Sequence, residues 1–369
     1  MAGGRMRVLW VAALIGLLAV FPYLYNYPLF DRFLDQNEFR TFQATRFAIW
    51  VTVLLGLNLL TGYSGQISLG HGAFVAVGAY AAAVLMSDYH VPVVAAVLLA
   101  GVITGAIGFL LGYPALRLTG PYLAIATLAM MLALPQIMKL NGISEWTNGP
   151  RGIMLPTAHS PEALDGIVSS RQWLYYACVV PALLMTGIAW NLTRRRVGRA
   201  FIALRDSEIG AEQMGINVAL YKMMAFGLSA LYAGTGGALF VFSEGFIAPE
   251  SFDVTLSITM LVVVVLGGLA SIPGAIFAAG IMTFRNEIVE GFADLGLLRI
   301  PGEVVPGHQQ SPETLRGALY GLMLILTVML MPRGLAGLAR DVREAGPRGI
   351  LTALGSLPRR LLMGREGES

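Results

Sequence analysis

The chain has 369 residues, of which 56% are hydrophobic and 13% are charged, and its mean hydropathy is +0.68. Soluble domains carry about 25% charged residues, so this sequence lacks the polar residues that a water-facing surface of its length requires. The single cysteine, Cys178, excludes a disulfide framework, and the net charge of +3 is too small for a nucleic-acid-binding surface. We therefore predict an all-α polytopic membrane protein.

Apolar runs near the length that crosses the hydrocarbon core, about 20 residues, predict about ten transmembrane helices. Arg5 and Arg7 precede the first run, as in a signal peptide, but no small-residue cleavage site follows, so we interpret it as a retained helix. The predicted helices are 8–25, 47–61, 66–86, 91–112, 121–140, 173–192, 222–243, 254–268, 273–288 and 315–331. If the N-terminus is inside, most basic residues are inside too, including the cluster at 194–199. The positive-inside rule thus predicts that both termini are cytoplasmic.

Two Gly-rich segments predict that some of these helices are short or broken. GYSGQ (62–66) interrupts the apolar stretch from 47 to 86, and GGLASIPG (267–274) interrupts the stretch from 254 to 284. Broken helices occur at membrane depth where protein or a water-filled cavity covers the backbone, and in transporters they mark the translocation pathway. The candidate pathway residues are Gly62, Ser64, Gly65, Gln66, Ser68, Gly70, His71, Gly267 and Gly268.

Each pathway candidate has a second interpretation. A helix N-terminus can face a substrate carboxylate and bared carbonyls can face an ammonium group, while the polar side chains of the first break add hydrogen-bonding groups. Glycines, however, also allow close helix packing, and His71 is equally suited to a buried hydrogen bond between helices. The two breaks share one pattern, an apolar run, a Gly-rich break and a small-residue helix, which indicates a parallel repeat.

Residues 193–222 form the most polar segment on the predicted inner side. Within this connector, Arg199 to Met214 has the apolar spacing of an amphipathic helix, and Gly215 follows as a stop signal. Such a helix either lies on the lipid surface or docks into a partner protein. Acidic residues on its polar face favour the protein partner, and a solvated connector is the alternative.

Motifs for enzymatic chemistry are missing from the sequence. The two lysines, Lys139 and Lys222, do not follow a Gly-rich turn that could bind phosphate, so we expect no nucleotide site. The predicted helices also lack the chain of Asp, Glu or His that proton-driven carriers use, and no cluster has metal-ligand spacing. We expect a transport subunit that is not an enzyme, with no cofactor and no metal; a self-sufficient secondary carrier or channel is the alternative.

Five sequence blocks are specific as a set and occur in a fixed order. They are NLLTGYSGQISLGHGAFVAVGAYAAA (58–83), TNGPRGI (147–153), RDSEIGAEQMGINVALYKMMAFGLSALYAGTGGALF (205–240), VVLGGLASIPGAIFAAG (264–280) and MPRGL (331–335). Together they resemble the permease family of branched-chain amino acid ABC importers, in particular its LivM-like subunit. The resemblance covers a core of residues 45–340. It implies a transmembrane permease domain at 1–340 and a basic cytoplasmic tail at 341–369.

The resemblance also implies a function and a set of partners. It implies a permease subunit of an ATP-driven importer, multi-pass in the bacterial cytoplasmic (inner) membrane and in contact with lipid. The implied partners are a second homologous permease (LivH-like), two cytoplasmic ATP-binding subunits that hydrolyse ATP, and an extracytoplasmic solute-binding protein; no nucleic acid is implied. The implied substrates are branched-chain or related hydrophobic amino acids, and the alternatives within the family are urea, short amides or aromatic acids.

Finally, the resemblance makes the 193–222 connector the element that couples to the ATPase. The implied coupling residues are Arg205, Asp206, Glu208, Ala211, Glu212 and Gly215. ABC permeases carry the pattern Glu-Ala-Ala, three residues, Gly, of which only Ala211 and Gly215 match here. Ile209 occupies the position of the first Glu, so the pattern leaves open which acidic residue contacts the ATPase.

Overall fold

The structure is a computed structural model that describes residues 37–118, 120–155 and 169–285, together with residues 287 and 321. The predicted helices at 8–25 and 315–331, the MPRGL block and the 341–369 tail lie outside the described residues. The described part is built almost entirely of helices, as the composition predicts. The total of about ten helices and the cytoplasmic termini stay predictions.

The elements follow the apolar runs of the sequence. The α-helices are α1 (Asn37–Leu57), α2 (His71–Ser87), α3 (Val93–Ala115), α4 (Pro121–Ile137), α5 (Ser144–Thr147), α6 (Ser170–Arg194), α7 (Arg196–Asp206), α8 (Glu208–Gln213), α9 (Val218–Glu244), α10 (Val254–Gly267) and α11 (Ile272–Thr283). A π-helical turn (Asn58–Tyr63) extends α1, and 3-10 turns lie at Gly149–Arg151 and Pro249–Ser251. Two short strands, β1 (Ile153–Met154) and β2 (Phe246–Ile247), pair antiparallel.

Among the described residues, five helical segments are long and apolar enough to cross a membrane. They are Arg40–Tyr63, Val93–Ala115, Ser170–Arg194, Val218–Glu244 and Pro249–Gly267, and α2, α4 and α11 are shorter apolar helices. Every helix predicted within the described part coincides with one of these, which confirms the all-α membrane class. The predicted start of the helix at 66 is wrong: residues 64–70 are not helical, and α2 begins at His71.

Helix α9 lies at the centre of the bundle and packs against α1, α2 and α3. A β-carbon on Gly78 of α2 would overlap the backbone of Gly234 in α9, and one on Gly108 of α3 would overlap the side chain of Ala230. Lipid tails are as apolar as these helices, so close van der Waals packing between small residues, rather than hydrophobic burial, holds such helices together. The small residues of α3 therefore face the bundle, whereas its large apolar side chains, such as those of Leu98, Val102 and Leu110, are exposed.

The connections between helices lie at two opposite ends of the bundle, as alternating crossings require. At one end, which we name the connector end, hydrogen bonds join Asn58 to Ser271 and Arg205 to Gly62. At the other end Lys139 pairs with Glu250 at 2.9 Å, and β1 pairs with β2. The two predicted breaks and the predicted connector thus lie at the same end, which is cytoplasmic in the predicted orientation.

Candidate functional site

The first break begins where α1 changes from α-helical to π-helical bonding. The Ser64 N–H donates to the carbonyl of Leu59, and the Gln66 N–H donates to the carbonyl of Leu60. Gly65 has φ +75°, a conformation that L side chains rarely adopt, so a glycine is required at this turn. The break lies where the Gly-rich pattern predicts it and extends further, to residue 70.

A small polar network inside this break leaves one side-chain oxygen unpaired. The Ser64 hydroxyl donates to the Leu60 carbonyl at 2.8 Å and accepts from the Gln66 side-chain amide at 2.9 Å. Because the single hydroxyl hydrogen of Ser64 is used by the carbonyl, Gln66 must direct its NH2 group at Ser64. The Gln66 Oε1 atom is then buried without a hydrogen-bond partner among the described residues. A buried acceptor left unpaired costs about 1–3 kcal/mol, so this oxygen is available to a water or a ligand.

Helix α2 begins deep in the bundle, and its first amides are satisfied by hydroxyl groups. The acceptors are Thr127 Oγ1 for the Leu69 N–H (3.0 Å), Ser68 Oγ for the Gly70 N–H (3.4 Å) and Ser257 Oγ for the Gly72 N–H (2.9 Å). Helix N-termini leave amides without intrahelical partners, and water is absent from the bilayer core. Thr127 of α4 and Ser257 of α10 were missed by the sequence analysis because a hydroxyl within an apolar run gives no signal of its partner.

His71 joins three helices at the middle of the bundle. It is fully buried, its Nε2 lies 3.0 Å from the carbonyl oxygen of Val53 in α1, and its Nδ1 lies 3.4 Å from the hydroxyl of Ser229 in α9. Since a carbonyl oxygen only accepts, Nε2 carries a hydrogen and donates it to Val53, while the Ser229 hydroxyl pairs with Nδ1. Both ring nitrogens have protein partners, so the geometry favours the interhelical hydrogen bond over a contact with substrate.

The second break separates α10 from α11. Gly268 has φ +115°, and Ala270 has φ +54°, a left-handed conformation that is strained for a residue with a β-carbon. Ser271 then caps α11, because its hydroxyl accepts from the Gly274 N–H at 3.2 Å. A β-carbon on Gly267 would overlap the Gly274 carbonyl oxygen, so the two helix ends approach closely.

Asn58 connects the two breaks. Its Nδ2 donates to the Ser271 carbonyl at 2.8 Å, and its Oδ1 accepts from the Ala270 N–H at 3.0 Å, so the amide holds the strained residue from both sides. The backbones also touch, since a β-carbon on Gly62 would overlap the Ala270 nitrogen. Asn58 begins the first of the five sequence blocks but is absent from the predicted pathway set; an asparagine within an apolar run was the available signal.

The connector contains two helices instead of the single predicted one. The prediction of one helix from Arg199 to Met214 is wrong, because Ser207 is extended (φ −163°, ψ 114°) and separates α7 from α8. The Ser207 hydroxyl accepts from the Gly210 N–H at 3.0 Å and so caps α8. The predicted stop at Gly215 is confirmed: its φ is +79°, and the Ile216 N–H donates back to the carbonyl of Ala211, the hydrogen bond of a Schellman motif.

Two charged members of the coupling set contact residues outside the connector helices. Arg205 Nη1 donates to the Gly62 carbonyl at 3.2 Å, so the connector contacts the first break directly. Glu208 forms an ion pair with Lys222 at 2.7 Å, and Lys222, at the start of α9, is only 5% exposed. These two residues therefore hold the connector against the bundle.

The rest of the coupling set divides between buried and exposed positions. Asp206 forms an ion pair with Arg205, and Ala211 is buried against the bundle. Glu212 is exposed, and two large apolar side chains that flank it in sequence, Ile209 and Met214, are 75% and 83% exposed. The exposed surface of α8 and of its C-cap residue Met214 thus combines the Glu212 carboxylate with two apolar side chains, while the Glu208 carboxylate is paired with Lys222.

The pathway set lies inside the packed bundle. All of its residues are buried except Gly65, which lies against Arg205 of the connector. In the described part of the chain, no group of three or more His, Cys, Asp or Glu side chains is placed to hold a metal ion. The hydrogen bonds that join the two breaks and the connector form a junction, which we define as Asn58, Gly62, Arg205, Ala270 and Ser271.

Apolar helices with two broken ends joined at one face define a multi-pass α-helical membrane protein. A family model for the permease component of branched-chain amino acid transport systems matches residues 40–328. The chain belongs to this family. The resemblance drawn from the five sequence blocks is thereby confirmed.

Individual relatives agree with the family. The chain is 35% identical over 283 residues to the high-affinity branched-chain amino acid transport system permease protein LivM of Salmonella typhimurium, and 34% identical over 283 residues to LivM of Escherichia coli K12. Each match covers 71% of this chain, and the chain spans 66% of the length of each LivM relative. It is also 31% identical over 219 residues, 59% of either chain, to the autoinducer 2 import system permease protein LsrC of Salmonella paratyphi B. No solved structure matches the chain at a significant level.

Proposed function

We propose that this chain is the membrane-embedded permease subunit of an ATP-driven importer in the bacterial cytoplasmic membrane. The observation that carries the proposal is the junction, in which a polar connector contacts the first helix break and Asn58 bonds that break to the second one, all at one end of the bundle. A passive channel subunit needs such a contact, because the energy must reach the pathway from outside the chain. ATP hydrolysis then belongs to two separate cytoplasmic subunits, and this chain is not an enzyme.

The exposed surface of α8 is the proposed docking surface for the ATP-binding subunit. Ile209 and Met214 are exposed apolar side chains, Glu212 lies between them in sequence, and the helix ends at the fixed turn of Gly215. Glu208 is paired with Lys222 and Asp206 with Arg205, which leaves Glu212 as the acidic residue that we assign to the ATPase contact. The other proposed partners are a second homologous permease and an extracytoplasmic solute-binding protein, with lipid around the bundle.

The proposed pathway passes the two breaks. Because the pathway residues other than Gly65 are buried, passage of a substrate requires the breaks to separate. The amides at the start of α2 donate to Ser68, Thr127 and Ser257, so a substrate carboxylate reaches them by displacing a hydroxyl group. Gln66 Oε1 is the buried acceptor that a substrate ammonium group would find unpaired. His71 and the glycines then support the pathway by packing.

The proposed substrates are branched-chain or related hydrophobic amino acids. The names of the two LivM relatives support this choice, while the LsrC relative carries the name of a different import system. Urea, short amides and aromatic acids remain the alternatives for the same type of permease. A pathway lined by backbone and small polar side chains binds weakly, so the solute-binding protein would supply most of the specificity.

The test is reconstitution of the complex. The tagged chain is purified in mild detergent from its own membranes, and the proteins that accompany it are identified and reconstituted with it in proteoliposomes. We expect ATP-binding subunits and a second permease to copurify, and we expect uptake of radiolabelled leucine that requires ATP and the solute-binding protein. Unlabelled valine, urea, acetamide and benzoate, added as competitors, distinguish the substrate classes. Leucine uptake by the chain alone, driven by an ion gradient without ATP, would establish the secondary carrier instead.

A further inference from the structure

We propose that Arg205 is a positioning residue that transmits movement of the connector to both helix breaks through the Gly62 carbonyl, rather than by contact with the ATPase. This inference rests on the proposed function. It assigns the residue that links the exposed connector surface to the buried pathway. The supporting contact is the hydrogen bond of 3.2 Å from Arg205 Nη1 to the Gly62 oxygen.

The Gly62 carbonyl is a suitable acceptor for a cation. It belongs to the last turn of the helix that starts as α1, and the last carbonyls of a helix lack intrahelical donors and carry the negative end of the helix dipole. Arginine side chains near a helix C-terminus bind such carbonyls. Arg205 comes from a helix far along the chain, so the contact joins two separate elements and does more than cap one of them.

The guanidinium group of Arg205 is held in a fixed orientation. Asp206 Oδ1 accepts from Arg205 Nε at 3.2 Å and from Nη2 at 3.1 Å, which leaves Nη1 to donate to Gly62. The planar fork of arginine makes this arrangement directional. The aliphatic part of the side chain is also in contact, because a β-carbon on Gly65 would lie 2.7 Å from Arg205 Cγ. A shift of α7 therefore acts on Gly62 and Gly65 together.

From Gly62 the contacts continue to the second break. Gly62 lies against Ala270, and Asn58, in the same π turn, holds Ala270 and Ser271 by two hydrogen bonds. Ala270 keeps a strained left-handed conformation in this arrangement. Strained residues persist only where their surroundings hold them, so releasing Asn58 favours relaxation of the second break. The junction thus provides an element with two arrangements, held and released, that the connector can bias.

The experiment measures coupling in the assembled complex. Arg205→Gln removes the charge and the donor fork, and Arg205→Lys keeps the charge but has a single ammonium group in place of the fork. Arg199→Gln is the matched control, since Arg199 is an exposed arginine of the same helix. For each variant the retained ATP-binding subunit is quantified, and the amount of substrate taken up per ATP hydrolysed is measured with the solute-binding protein present. We expect Arg205→Gln to retain the ATP-binding subunit and to lower uptake per ATP by about tenfold, within the range typical of coupled sites. We expect Arg205→Lys to recover part of the loss and Arg199→Gln to match the wild type.

Each other outcome contradicts a specific part of the reasoning. Loss of the ATP-binding subunit from the Arg205→Gln complex would place Arg205 in the ATPase interface and overturn the inference. Wild-type coupling in that variant would overturn it as well. If Arg205→Gln does not insert, Asp206→Asn decides: it leaves the arginine in place but frees its fork, and unchanged coupling in this variant would refute the inference. If the wild-type complex itself shows no ATP-dependent uptake, the proposed function fails, and the inference fails with it.

Discussion

The hydrogen bonds of Asn58 allow the effect of one substitution, Asn58→Ala, on the free energy of unfolding to be predicted. Asn58→Ala removes two hydrogen bonds, from Nδ2 to the Ser271 carbonyl at 2.8 Å and from the Ala270 N–H to Oδ1 at 3.0 Å. The Ser271 carbonyl keeps its helical partner, the Ala275 N–H, whereas the Ala270 N–H has no other acceptor among the described residues. The damage is therefore concentrated at Ala270, whose left-handed backbone loses its support.

The magnitude follows from these contacts. Hydrogen bonds between membrane helices average about 0.6 kcal/mol each, and a donor left without a partner costs about 1–3 kcal/mol. We expect Asn58→Ala to lower the free energy of unfolding by about 1–4 kcal/mol. For domains of 150–250 residues, 1 kcal/mol corresponds to about 2–4 °C in the unfolding midpoint, so with the lower conversion we expect a decrease of about 2–8 °C.

The chain carries its own probe for this measurement. Cys178 is its single cysteine and is fully buried in α6, so a maleimide that fluoresces on reaction with a thiol reports unfolding in detergent. Asn191→Ala is the matched control, because Asn191 is exposed and its side chain accepts, within the described part of the chain, only from the exposed Arg195; we expect a change within about 0.5 kcal/mol. Asn58→Asp separates hydrogen bonding from volume, since a carboxylate oxygen would face the Ser271 carbonyl. A wild-type midpoint for Asn58→Ala would refute the assignment of Asn58 as the residue that holds the second break.

Three further predictions concern the connector, the packing and the topology. Glu208→Gln leaves the buried Lys222 ammonium without its ion-pair partner. It should lower the free energy of unfolding by about 1–3 kcal/mol, less than the loss of a fully buried pair, because Glu208 is half-exposed. Adding Lys222→Met should restore most of this loss. Gly78→Ala pushes α2 from α9 and should cost at least about 1–3 kcal/mol, and an unchanged midpoint would contradict the close packing. In a cysteine-free background, Ser170→Cys should react with an impermeant maleimide from outside and Ser207→Cys only after permeabilisation, whereas labelling from one side would refute the topology.

Much of the fold could be predicted because the membrane restricts the choices. Without water to satisfy backbone groups, a chain this apolar crosses lipid as helices, so composition and run length sufficed for α3, α6 and α9. The backbone conformation at some glycines could also be predicted from the sequence. Gly65 and Gly215 have φ values of +75° and +79°, and glycine is the residue that takes this conformation at little cost. The first break was therefore predicted from the Gly-rich segment 62–66, and the end of the connector helices from Gly215.

The apolar spacing of the connector did not show that its helix is interrupted at Ser207. Arg199 to Met214 keeps helical periodicity throughout, yet Ser207 interrupts it. A serine side chain can bond to nearby backbone amides, and its hydroxyl accepts from the Gly210 N–H to start a new helix. The polar face likewise gave no indication that Glu208 turns to Lys222 and leaves Glu212 exposed.

The tertiary structure alone decided which groups satisfy the broken backbone. Asn58 bonds to residues more than 200 positions away, Arg205 reaches Gly62 across 143 positions, and Ser257 reaches the start of α2 across 185. The sequence by itself determined that the helices break, because glycine conformation is a local property. It did not determine what holds the breaks, because a buried amide accepts any polar group that packing brings within hydrogen-bonding distance, and packing joins residues that are distant along the chain.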